Sequence, residues 1–122
     1  MNCHQAISYD NIIDSFRMCA NGIWIVFNNL NLLSPQVLSV FAQALQLLWA
    51  NYPTQKSKGY LMLGDKNVMF TTHEINLFST INTNKNNLTE CSKISEKMST
   101  FFRTYSIPSL DVKYILECKL VL

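Results

Sequence analysis

Apolar and polar positions along the chain change period several times, and each period predicts an element. In residues 9–20 Ile12, Ile13, Phe16 and Cys19 fall on one face of a helix, with Asp10 as the expected N-cap. Asn21-Gly22 should end it, because both residues tolerate the left-handed conformation common at helix ends. Ile23 to Phe27 is an unbroken apolar run of β-branched and aromatic residues. That pattern predicts a strand covered on both faces, the habit of a parallel sheet. Asn28 and Asn29 close it. Ser34-Pro35 opens the clearest helix: serine caps, and proline fits the first helical position because it has no N–H to lose. Val37, Leu38, Phe41, Leu45 and Leu48 follow at helical spacing as far as Ala50, ahead of Pro53.

The second half is more broken. Residues 51–59 read as a polar loop. Tyr60 to Leu63 and Asn67 to Phe70 read as the arms of a β-hairpin, with Gly64-Asp65 supplying the tight turn. Ile75 to Ile81 reads as a second core strand, and 82–87 as a loop of low complexity. A helix is predicted over 93–102, a short strand over Tyr105 to Ile107, and a last helix over 110–119, begun by Ser109 or Asp111. Strands that alternate with helices predict an α/β sandwich with a mostly parallel sheet.

Composition narrows the function classes. The chain has 122 residues, of which 48% are hydrophobic and 15% charged, with a net charge of +2. That length allows one domain with a real core. The low net charge argues against a polybasic nucleic-acid tail, and the apolar fraction against disorder. No apolar run reaches the roughly 18 residues a membrane span needs. The N-terminus lacks a charged-then-apolar signal pattern, so secretion is not expected. The four cysteines, Cys3, Cys19, Cys91 and Cys118, form no CxxC pair and are expected to be reduced and mostly buried. A zinc site would have to gather Cys3, His4, His73 and Cys91, a spacing that matches no zinc pattern. His4 and His73 have no serine or cysteine elbow beside them, and His73-Glu74 reads as a surface pair rather than a catalytic dyad.

Asn2-Cys3, Tyr9, Gly22-x-Trp24, Phe27, Asn31 and Val37-Leu38-Ser39-Val40-x-Ala42-Gln43 resemble the first AAA+ module of the dynein heavy chain motor. That family reads approximately FNCSD, GAWxCFDEFNRI and EVLSVxAQQ. Its hairpin FxFEGRxIxL is similar to Tyr60 to Phe70. Its strand FITMNPG is similar to Phe78-Ser79-Thr80-Ile81-Asn82, and its PENLKALFRP to Ser95 to Thr104. The resemblance spans nearly the whole chain, and its central block is the most specific part. It implies a partial AAA+ fold over 1–122, a parallel sheet of P-loop ATPase type with flanking helices and a β-hairpin insert. The family's strand order is 5-1-4-3-2. Asn2-Cys3 would end the second strand, Ile23 to Phe27 would be the third, Ile75 to Ile81 the fourth and Tyr105 to Ile107 the fifth. The first strand and phosphate loop would lie before residue 1. The three glycines, Gly22, Gly59 and Gly64, form no GxxxxGK[ST].

The resemblance also implies which positions bear on chemistry. The third strand of a P-loop ATPase ends in Asp-Glu, the aspartate holding the water shell of Mg²⁺ and the glutamate orienting the attacking water. Asn28 and Asn29 stand there instead, and an amide can neither carry the charge nor take the proton. They read either as eroded catalytic positions or as a strand end that starts a turn. Asn82 falls on the first-sensor asparagine, or else serves the turn it begins. Arg103 falls on the arginine presented to a neighbouring module, or else satisfies the last carbonyls of a helix. Leu32 replaces a family arginine and Thr104 a family proline. No catalytic residue, metal or cofactor is expected for the chain itself, although the intact family uses ATP and Mg²⁺. The implied partners are other dynein motor modules or chains, with microtubules only indirectly and neither nucleic acid nor membrane. The implied location is the cytoplasm and cytoskeleton, the ciliary axoneme included. A non-catalytic interaction domain that binds by strand addition is the alternative.

Overall fold

The computed structural model describes residues 1–52, 60–63, 65–71, 74–82, 96–108 and 111–121. Helix α1 runs Tyr9–Ala20 with Ser8, not Asp10, at the N-cap position; the Ser8 side chain makes no capping bond, and Asp10 lies in the first turn. There its carboxylate faces the positive end of the helix without accepting a capping bond. At the other end Gly22 alone turns left-handed, at φ 83°. Its N–H donates to Cys19 O at 2.9 Å and that of Ile23 to Met18 O at 3.1 Å, the paired bonds of a Schellman stop. Helix α2 runs Pro35–Ala50, and the Ser34 hydroxyl oxygen accepts from the Val37 N–H at 3.4 Å, as the sequence predicts. Ser34→Ala should lower stability by about 1 kcal/mol, measured as a lower urea midpoint in far-UV circular dichroism with an unchanged slope.

Strand β1 (Ile25–Phe27) pairs in parallel with β4 (Leu77–Ser79), Val26 opposite Phe78. Asn2 makes a further parallel bridge to Asn28 on the other side of β1. The spatial order is therefore the Asn2 segment, β1, β4, as the family order predicts for its second, third and fourth strands. The predicted strand over 75–81 is shorter in the structure. The β1 chain turns away at Asn29, so only three ladder pairs form.

Ile25 and Phe27 point to the side covered by α1 and α2. Phe16, Phe27 and Phe41 meet there, with Phe27 and Phe41 edge to face at 4.9 Å and Phe16 and Phe41 at 5.3 Å. All three are fully buried. The opposite face corrects the expectation of a doubly covered strand. Val26 is 44%, Phe78 48% and Trp24 67% exposed. The Trp24 and Phe78 rings lie 5.7 Å apart on that bare side. The apolar run is continuous, but among the described residues helices cover only one of its faces.

Strands β2 (Tyr60–Leu63) and β3 (Lys66–Met69) form the predicted antiparallel hairpin, with Leu63 opposite Lys66. The second arm starts one residue earlier than predicted, and Phe70 follows it into the core. Gly64, half of the predicted turn, lies outside the described residues, as does most of 51–59. Arg17 ties the hairpin to α1: Nη2 donates to Leu63 O at 3.0 Å while Nη1 reaches Asp14 Oδ1 at 2.8 Å.

Of the predicted 93–102 helix, α3 is Glu96–Ser99, and 93–95 lie outside the described residues. Met98 is buried, and Phe102 stacks on Phe41 at 6.5 Å. Helix α4 is Val112–Val121, and the Asp111 carboxylate accepts from the N–H groups of Lys113 and Tyr114. Ser109, the other predicted start, lies outside the described residues. No residue of α4 is buried. Tyr105 to Ile107 is not a strand, which corrects the predicted fifth strand. Tyr105 is 75% and Ile107 91% exposed. In the family order that strand would lie beside a first strand. The described residues contain no such neighbour, so the segment has no ladder to join.

Candidate functional site

Because β1 and β4 are parallel, their carboxyl ends finish together. In open α/β sheets that end is where ligands bind. Here it carries Asn28 and Asn29 after β1, and Thr80 to Asn82 after β4. Thr80 joins the two. Its hydroxyl donates to Asn28 Oδ1 at 3.1 Å and its oxygen accepts the Asn29 N–H at 3.0 Å. The other end of the Asn28 amide donates from Nδ2 to Asn2 Oδ1 at 3.2 Å. Both polar atoms of the Asn28 side chain are thus engaged across three adjacent segments.

Asn29 sits at φ 56°, ψ 53°, in the left-handed region. Asparagine enters that region more readily than most residues with a side chain, glutamate included. The bend lets the chain drop into a 3₁₀ turn, Leu30–Leu32, that buries Leu30 and Asn31 before α2 begins. Asn31 Nδ2 donates to Asn82 O at 2.9 Å, and the Asn82 N–H donates back to Asn31 Oδ1 at 3.3 Å. Asn31 matches the family block, but nothing local in the sequence marks Asn82 as its partner. Thr80 stands inside the matching block Phe78 to Asn82, but its type alone assigns it no role. The usable signal is a hydroxyl two residues before Asn82 on the neighbouring strand.

The structure therefore brings Asn28, Asn29 and Asn82 to one end of the sheet, together with Asn2, Asn31 and Thr80. All six side chains are uncharged. They can orient water or a polar group through hydrogen bonds, but none is a base or a ligand with formal negative charge. Arg103 is not brought to this group by any bond among the described residues. It is exposed, four residues past the end of α3, and makes no described bond to that helix's carbonyls. Leu32 closes the 3₁₀ turn, half-buried.

The remaining predicted positions are scattered. His4 is exposed, and its Nδ1 accepts the Ala6 N–H at 3.3 Å. His73 and Cys91 lie outside the described residues. Cys3 and Cys19 are buried as expected, but Cys118, on α4, is exposed. Burial pushes both the Cys3 and Cys19 thiols up. The N-terminal ammonium opposes this at Cys3, and a backbone hydrogen bond at Asn76 opposes it at Cys19.

Against known proteins, the sequence model for the hydrolytic ATP-binding site of the dynein motor region matches residues 1–122. The chain belongs to that family, and an ATP-binding motor region is the setting in which its sheet end has to be understood. No curated protein matches the sequence.

Proposed function

We propose that this chain is a divergent dynein motor module, one partial AAA+ domain over 1–122, that takes part in ATP-driven microtubule-based movement without hydrolysing ATP itself. The observation that carries the reading is the amide pair. Asn28 and Asn29 occupy the positions of the acidic pair, and the Asn28 side chain is already bonded to Asn2 and Thr80. A carboxylate there would hold the water shell of Mg²⁺. A neutral amide offers the ion no charge, and its one acceptor oxygen already takes the Thr80 hydroxyl. The lack of GxxxxGK[ST] within the 122 residues is a second, separate support. Asn82 then stands at the first-sensor position and Arg103 at the arginine presented to a neighbouring module. Its partners are other dynein modules or chains, and it meets microtubules only through them, in the cytoskeleton of the cytoplasm or of the ciliary axoneme. ATP and Mg²⁺ belong to the intact motor.

A second reading has one observation in its favour: β4 pairs only with β1 among the described strands. Its far edge could accept a partner strand, and the chain would then be a non-catalytic interaction domain.

Asn28→Asp with Asn29→Glu tests the first reading. The double variant should release no phosphate from ATP above a heat-killed control, because the carboxylates return without a cradle to place the substrate. Turnover by the variant, or by the unaltered chain, would overturn the proposal. The same double change in a longer chain with an intact phosphate loop is the contrast in which activity is expected to rise.

A further inference from the structure

We infer that Asn31 is a positioning residue that acts through Asn82. β4 ends at Ser79, and Thr80 makes the last backbone bonds to the β1 side, accepting from Leu30 and donating to Phe27. Two residues later the chain is held again, this time by a side chain. The Asn31 amide gives Asn82 one donor and one acceptor, the same pair of bonds that a neighbouring strand would give. The side chain therefore serves as one more rung of the sheet after the strand has ended.

The orientation of the amide is fixed by its partners. A carbonyl must face Nδ2 and an N–H must face Oδ1, so the flipped arrangement would set donor against donor and acceptor against acceptor. Asn31 is 4% exposed, whereas Asn82 is exposed. The anchor is inside and the residue it places is at the surface. Asn31 is itself held by the 3₁₀ turn that follows the left-handed Asn29. The backbone of Asn82 is thus tied to the turn after β1 as well as to its own strand. A change in the backbone at Asn29 would be transmitted to Asn82 through one amide.

The functional weight of this placement rests on the reading of Asn82 as the sensor position. The geometry does not, and the test addresses the geometry alone. Hydrogen exchange followed by NMR on the full chain reads it. In the unaltered protein the Asn82 amide should be protected at least about tenfold over an unstructured peptide, although it lies beyond β4. An Asn82 amide that exchanges as freely as an unstructured peptide overturns the inference without any variant having to fold.

In Asn31→Ala the Asn82 protection should drop about tenfold or more, with the amides of Ile13 and Phe16 in α1 changed less than about twofold. A uniform drop across α1 and Asn82 would show only a structural role, and an unchanged Asn82 would show none. Asn31→Asp gives a sharper signature. Near neutral pH its carboxylate still accepts the Asn82 N–H but repels the Asn82 carbonyl. In acid the protonated carboxyl again offers one donor and one acceptor. Asn82 protection relative to the unaltered chain at the same pH should therefore be low near neutrality and recover in acid. A ratio that does not change with pH would overturn the inference. A failed ATPase test would leave this result standing, and the reverse also holds.

Discussion

Phe41→Ala should remove about 3–5 kcal/mol of stability. For a domain of this size that is a large part of the whole, since single domains are held by about 5–15 kcal/mol. Phe41 is fully buried and stands at the centre of the aromatic group. It is edge to face with Phe27 of β1 and Phe16 of α1 and stacked with Phe102 past α3. Truncation removes contacts to three parts of the fold at once and leaves a void that rigid neighbours cannot fill. A urea melt followed by far-UV circular dichroism measures it. Tyr105→Ala is the comparison, because a side chain 75% exposed should change stability by less than about 0.5 kcal/mol. A Phe41→Ala loss below about 1 kcal/mol would show that α2 is not held on the sheet as described.

The second large effect is a contrast between thiols. Under native conditions Cys118 should be alkylated about 100-fold faster than Cys3 or Cys19. Cys118 lies on an exposed helix, while Cys3 is 4% and Cys19 0% exposed. Burial both blocks the reagent and pushes the two inner thiols up, so less thiolate forms. Iodoacetamide pulses resolved by site in a mass spectrometer give the rates. Similar rates at all three positions would mean that the α1 side of the core opens readily. The pH dependence has a definite sign. A thiol whose pKa is raised in the folded chain costs nothing below the ordinary thiol value of about 8.5. As pH rises through the folded values the unfolded chain releases protons that the folded one retains, so stability falls on the alkaline side.

Local signals carried the helices well. Ser34-Pro35, the apolar stripe after it and Gly22 at the end of α1 act within one or two turns, and the structure uses each of them. The order of the Asn2 segment, β1 and β4 was legible only through the resemblance, because parallel neighbours leave no short-range mark. Errors arose where an outcome depended on distant chain. The run Ile23 to Phe27 could not reveal that the described helices would cover only one of its faces. Tyr105 to Ile107 has strand-like residues but no neighbour to pair with among the described residues. At the site, the types of Asn28, Asn29 and Asn82 were legible, and so was the absence of charge on all three. Their bonding was not. Thr80 and Asn31 matter through partners about fifty positions away, and no periodicity encodes such a pair.

That same distance sets an order of assembly. α1 and α2 are joined by a connection that includes β1, and their apolar faces can meet after closing a short loop. β1 must wait for β4: Asn28 and its partner Thr80 are separated by 52 positions, and closing so long a loop is entropically slower. The helical pair is therefore expected to form early and the parallel ladder late. Asn31 and Asn82 would be joined last of all, since their bonds need both the finished turn and the docked strand. In the reverse direction the amide bonds should be the first to open, while α1 and α2 still hold together. The end of the sheet that carries Asn28, Asn29 and Asn82 is then the least persistent part of the parallel sheet in time, even though the Asn28 and Asn31 amides are both engaged when it forms.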